Sequence, residues 1–127
     1  MITKPNNSLG SFERLVLTAV VALEDDAYGL PVSAKVDEML DSRANQGSVY
    51  VTLERLEEKG YLTSKFVDGP HQRGGRQRRV FRITALGKTS LLENVEVEKR
   101  IHQTLAKFMR LEKWKPSLPK LGLARRH

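Results

Sequence analysis

Apolar residues recur along the first part of the chain with the period of a helix. Phe12, Leu15, Val16, Ala19 and Leu23 fall at i, i+3, i+4, i+7 and i+11, which puts them on one face of a helix that Ser11 can cap. Leu17, Val20 and Val21 make the other side apolar too. A helix apolar nearly all round is usually covered on two sides, so this one is expected to lie between its own core and a second surface. Asp25, Asp26 and Gly29 break the pattern, and residues 30–40 predict a second helix with Val32, Val36, Met39 and Leu40 inward. Pro31 is tolerated in its first turn. The polar run DSRANQ follows as a turn. Asn45 or Ser48 can cap a third helix whose Val49, Leu53 and Leu56 face the core, and Gly60 stands where that helix stops.

Beyond Gly60 the pattern changes from helix to strand. Residues 62–67 and 77–83 have strand composition, and the DGPHQRGGR segment between them carries glycines that permit a turn and arginines without nearby acids. Alternation through RVFRI sets Val80 and Arg82 on one face and Arg79, Phe81 and Ile83 on the other. Thr84 can cap a long helix running to about Leu111. Its apolar residues form no single stripe: Val97, Ile101, Leu105 and Phe108 share one side, while Leu92 and Val95 lie on another. A second copy of the chain is the simplest cover for the distal side. A fold-back through KPSLP, residues 115–119, is the intramolecular alternative.

At 127 residues the chain suits one domain with a single modest core. It has no cysteine, so disulfides and thiolate chemistry are excluded and a reducing compartment is expected. Residues 1–8 are polar and the longest apolar run, LVLTAVVAL, is too short to span a bilayer. A cytoplasmic protein without membrane association is therefore expected. The formal net charge is +7, and its distribution says more than its size. Residues 11–44 carry seven acids against three bases, whereas residues 61–84 set Lys65, Arg73, Arg76, Arg78, Arg79 and Arg82 against Asp68 alone. Residues 107–127 hold seven bases against Glu112. A basic excess confined to one hairpin and one tail makes a positive stripe, which suits phosphate contacts; solvated surface charge is the plainer explanation.

The third helix turns Gly47, Ser48, Val51, Thr52, Glu54 and Arg55 outward, with Gln46 and Tyr50 at the flanks. Small polar residues at the start of a helix permit close approach to a major groove, where Ser, Thr, Gln and Arg reach base edges. Taken alone, this is also the polar face of an ordinary surface helix. The basic hairpin that follows it shifts the reading, because such a wing lies along the phosphate backbone or enters the minor groove. The expected fold is mainly α with a small β wing (α+β): a winged helix-turn-helix followed by a long C-terminal dimerisation helix. Its divisions are 9–84 for the winged helix-turn-helix, 85–112 for the dimerisation helix and 113–127 for a basic tail. Double-stranded DNA is the expected partner. A winged-helix module for protein or RNA is the alternative, although a partner-binding wing would more often expose apolar residues.

Four segments in order, LGSFERLVLTAV, AYG, GSVYVTLERLEEKGYL and GGRQRRVFRITALG, resemble the PadR family of bacterial transcription regulators across residues 9–92. Phe81 stands where that family often has Tyr, and Val51 where Pro is common. The resemblance implies a cytoplasmic homodimeric repressor, often released from its operator by a small aromatic or drug-like molecule. It further implies that Gln46, Gly47, Ser48, Tyr50 and Thr52 face DNA and that Arg73, Arg76, Arg78 and Arg79 form the wing. Arg55, on the outward face of the same helix, joins the DNA-binding candidates. Dimerisation is expected through Leu15 of the first helix with Val97, Ile101, Leu105 and Phe108, and two-fold symmetry then calls for an inverted-repeat operator. An effector cleft between the helices of the two copies is expected to be lined by Leu15, Ala19 and Phe108, with Trp114 at its mouth. Trp114 equally suits a tail anchored on the body.

No cofactor is expected. His71, His102 and His127 are scattered without ligand spacing, and Glu24, Asp25 and Asp26 lack the spaced oxygens of a calcium loop. No phosphate-binding loop, dinucleotide fingerprint or nucleophile elbow occurs, so the chain is not expected to be an enzyme.

Overall fold

The structure is a computed structural model, and it describes residues 9–68 and 77–109. The elements follow the order α1 (Ser11–Leu23), a 3-10 turn (Glu24–Asp26), α2 (Gly29–Leu40), α3 (Gln46–Glu58), β1 (Leu62–Asp68), β2 (Gln77–Ile83) and α4 (Ala85–Met109). This is the mainly α architecture with a small β wing and a long last helix that the sequence predicts. One compact unit ends at Leu92 and a second begins at Glu93.

Local chemistry explains most of the boundaries. Asn45 caps α3 by accepting the Ser48 N–H on Oδ1 at 3.1 Å. Gly60, at φ +84°, supplies the left-handed residue that ends the helix and lets the Tyr61 N–H reach the Leu56 carbonyl. Thr84 caps α4 by accepting the Gly87 N–H at 3.0 Å. The cap of α1 differs from expectation: Ser11 is its first helical residue, and the Gly10 N–H donates to Glu13 Oε1 at 2.9 Å. The α2–α3 turn is held by Asp37, whose Oδ1 accepts the Ala44 N–H.

The core forms where α1, α2 and α3 meet the root of the β pair. Val16, Leu17, Val20, Val36, Leu53 and Leu56 are all buried there. The inward side of α1 is therefore broader than its main stripe. Leu17 and Val20 are buried, whereas Phe12, Leu15 and Leu23 are only partly so. Val21 is exposed, leaving apolar surface on α1. Met39 and Leu40, expected inward, are exposed because the core reaches α2 only through Val32, Ser33 and Val36.

β1 and β2 are antiparallel, with Leu62 opposite Ile83 and Asp68 opposite Gln77. The Phe81 N–H donates to the Ala27 carbonyl at 2.8 Å, so the segment before α2 ties to β2 as well. The root of the wing is closed by Thr84, whose N–H donates to the Tyr61 carbonyl and whose hydroxyl donates to the Gly60 carbonyl. Among the described residues no helix is long and apolar enough to cross a membrane.

Candidate nucleic-acid interface

The Asn45 cap leaves the first turn of α3 open to solvent, and Gln46, Gly47 and Ser48 are all exposed there. Val51 and Arg55 continue this surface, which borders a groove floored by Phe12 and Glu13 of α1. Tyr50 stands on the other flank, partly exposed, with its ring packed tightly on Gly29 at the start of α2. Beyond it a second cleft runs between Tyr28, Tyr50, Glu54 and the β2 residues Arg78 and Phe81. A helix flanked by two grooves has the convex shape that a reading helix needs.

Thr52 lies recessed at the floor of the groove beside α1 and not on the outward surface. It is only 5% exposed, because it stands three residues after Val49 and four before Leu56 and is drawn into the α1–α3 packing. The expectation that Thr52 faces DNA is therefore corrected.

The wing arginines divide by their partners. Arg73 and Arg76 lie outside the described residues. The Arg78 guanidinium carbon sits 4.0 Å from the centre of the Tyr28 ring, a stacked arrangement. No carboxylate lies within ion-pair distance of Arg78 among the described residues. Arg79 is engaged on three sides: Nη1 donates to Glu54 Oε2 at 2.6 Å, Nη2 to Glu57 Oε1 at 2.7 Å, and Nε to Ser64 Oγ at 3.0 Å. The Ser64 hydroxyl donates in turn to Glu57. Hydrogen bonding and the charge of Arg79 hold the Glu54 carboxyl below its ordinary range, and hydrogen bonding to Glu54 raises Arg79 further. Arg82 pairs with Asp25 at 2.9 Å, both well exposed. The arginines expected to lack nearby acids, Arg73 and Arg76 of the DGPHQRGGR segment, are thus outside what the structure describes, whereas Arg79 and Arg82 of β2 both have acid partners. The acids come from α3 and from the turn after α1, far away in sequence.

Glu54, Glu57 and Tyr28 are the residues that sequence reasoning missed. Glu54 and Glu57 are one turn apart on α3, but nothing local shows that β2 will place a guanidinium between them. A further cross-element pair joins Lys59 to Glu13 at 2.9 Å, fastening the end of α3 to the start of α1. Burial pushes the Glu13 carboxyl up, but the Gly10 N–H and the Lys59 ammonium more than offset it, and the net shift is downward.

On α4, Val97, Ile101, Leu105 and Phe108 are exposed, Phe108 by 74%. Leu92 and Val95 are exposed as well. Leu15 on α1 is partly buried against the core. Ala19 is fully buried among core side chains. It cannot line a ligand cleft without opening that core, which corrects its assignment to an effector site. Trp114 lies outside the described residues, as does the basic tail. No group of three or more His, Cys, Asp or Glu side chains suited to a metal occurs among the described residues.

Residues 17–93 match the transcriptional regulator PadR-like family. The fold is similar to that of a PadR family transcription regulator from Clostridium difficile R20291, at 24% identity and a TM-score of 0.66, covering 79% of this chain and 99% of that one. A PadR-like transcriptional regulator from Bacillus cereus is similar at 21% identity and a TM-score of 0.62, covering 76% of this chain and 89% of that one. BpsR of Bordetella bronchiseptica, whose DNA binding is regulated by 6-hydroxynicotinic acid, is similar at 20% identity and a TM-score of 0.59, covering 82% of this chain and 70% of that one.

Proposed function

Because the match spans more than half of its length, this chain belongs to the PadR-like family of transcriptional regulators, and we propose that it acts as a homodimeric repressor reading an inverted-repeat operator. The observation that carries the reading is the exposed first turn of α3, small and polar at Gln46, Gly47 and Ser48, together with a guanidinium at Arg78 that no carboxylate among the described residues neutralises. The first supplies close approach and donors for base edges. The second supplies a cation for the backbone. The acid excess of residues 11–44, much of it in the Glu24–Asp26 turn, leaves the positive charge concentrated at the wing and tail, which orients the protein in the field of a duplex.

Dimerisation is supported by the exposed Val97, Ile101, Leu105 and Phe108 on α4. Four large apolar side chains in water on one helix are costly, and burying each against a second copy recovers about 1.5–3 kcal/mol. Two α3 helices related by a two-fold axis then meet half-sites about one helical turn apart, or a multiple of it. Effector release is supported by the regulated relative in Bordetella and by Phe108 as an exposed ring on which a flat aromatic molecule can stack. To derepress, such a ligand must bind the DNA-free form more tightly than the DNA-bound one.

The test is selection of bound duplexes from a random pool, followed by footprinting, with sedimentation equilibrium on the same protein. An inverted repeat and a dimer that Ile101→Lys with Leu105→Lys disrupts are expected. A stable wild-type monomer at micromolar concentration, or a single unrepeated half-site, refutes the dimeric reading.

A further inference from the structure

Two carboxylates, Glu54 and Glu57, stand on the helix proposed to read DNA, where they would repel phosphates. The structure places one guanidinium between them. Arg79 reaches over from β2, and its Nε, Nη1 and Nη2 atoms are all taken by Ser64, Glu54 and Glu57 at 3.0, 2.6 and 2.7 Å. Nη2 also lies 3.5 Å from the second oxygen of Glu54. A guanidinium has five N–H donors, so four contacts leave little with which to hold a phosphate. The neighbouring Arg78 projects from the opposite face of the strand and stacks on Tyr28, its N–H edges uncommitted to any carboxylate among the described residues.

We propose that Arg79 is a positioning residue that fixes the β1–β2 wing to α3 and offsets one of the two charges of Glu54 and Glu57, leaving Arg78 as the described wing arginine that holds a phosphate. The inference rests on the DNA-binding reading above. The geometry of the lock requires arginine: a planar fork spans two carboxylates and a hydroxyl at once, which a lysine ammonium on a flexible stem does not reproduce. The angle between wing and reading helix decides whether both engage the same duplex in register. Loosening the lock therefore damages discrimination among sequences more than general attraction to DNA.

Three variants of the full chain separate these roles. Arg78→Gln should weaken binding to all duplexes alike and reduce the log-log salt slope by about 1.8 for the dimer, which loses one phosphate contact per protomer at about 0.9 each. Glu54→Gln with Arg79→Gln removes one charge of each sign, so the salt slope should stay at its wild-type value. The ratio of operator to non-specific affinity should fall about fivefold for each half-site, the low end for one lost base contact. Arg79→Lys retains the charge without the fork, and it should lose discrimination in the same way. A slope loss in the Glu54/Arg79 double variant equal to that of Arg78→Gln would overturn the proposal, as would full operator discrimination in Arg79→Lys. The lock is also read without DNA. Amide hydrogen exchange in the β1–β2 ladder should quicken in the double variant while the core amides of α1 keep their wild-type rates. Unchanged ladder exchange overturns the lock whatever the duplex measurements show, and a wild-type chain that binds no duplex overturns the DNA-binding reading while leaving the exchange result to decide the lock.

Discussion

Gly87→Ala is expected to be among the most damaging single-methyl additions in the chain. Gly87 lies in the first turn of α4, with its N–H on the Thr84 hydroxyl. A Cβ built there meets the Tyr61 carbonyl oxygen closer than real Cβ atoms approach, and it lies 2.7 Å from Ile83 Cγ1 and 3.2 Å from the Tyr61 carbonyl carbon. The nearest obstacle is backbone, and the same Tyr61 carbonyl accepts the Thr84 N–H that closes the wing root. Relief requires moving α4 away from the strands or breaking that bond. Overpacking of this kind costs about 1–3 kcal/mol, and loss of the Thr84 hydrogen bond adds about 1 kcal/mol. Alanine returns at most about 1 kcal/mol as the better helix former. The net is a destabilisation of about 2 kcal/mol, which for a unit of this size lowers Tm by roughly 8–16 °C. Thermal melts followed by circular dichroism, with urea titration to confirm an unchanged m-value, measure it. A Gly87→Ala protein that melts at or above the wild-type temperature would refute the reasoning, since the helix-propensity gain would then have prevailed over the clash.

Ser33 is buried on α2 with its hydroxyl unpartnered among the described residues. Ser33→Ala should therefore stabilise the fold by about 1 kcal/mol or more in the same melts, and a loss of stability would show that the hydroxyl has a partner. At Gly29 an added Cβ would lie 2.5 Å from Tyr50 Cε1 and 2.7 Å from its hydroxyl. Gly29→Ala should thus swing that ring outward, changing duplex affinity severalfold for a Tm shift of only a few degrees, on the order of a surface substitution; unchanged affinity would remove Tyr50 from the interface. The depressed Glu13 carboxyl contributes stability that is present above its ordinary value of 4.5 and lost as pH falls through its lower folded value. Glu13→Gln should therefore be less stable than wild type at neutral pH, by about 1 kcal/mol for the pair with Lys59 and the Gly10 contact together. The gap should close on acidification below pH 4.5. A gap that persists to low pH would mean that packing, not charge, makes the difference.

Most features whose cause is local could be read along the chain, the cap of α1 apart. The Asn45 cap, the left-handed stop at Gly60, the Thr84 cap and the two strand runs each depend on residues within a few positions, so period and turn chemistry located them. The buried face of α3 at Val49, Leu53 and Leu56 followed from spacing, as did the exposed first turn beside it. What spacing could not say was how far the packing of α1 extends around α3, and that alone decided that Thr52 is covered. Met39 and Leu40 failed in the opposite sense: their period was right, but no element among the described residues reaches the end of α2 to cover them. The wing shows the division most clearly. Its arginines were visible as a charge run, yet whether each is free or committed depends on Glu54 and Glu57 lying across from Arg79 and on Asp25 lying across from Arg82. Those pairs span 25, 22 and 57 positions. Only folding brings such groups within 3 Å, because ion pairing acts over ångströms in space and leaves no periodic trace along the chain.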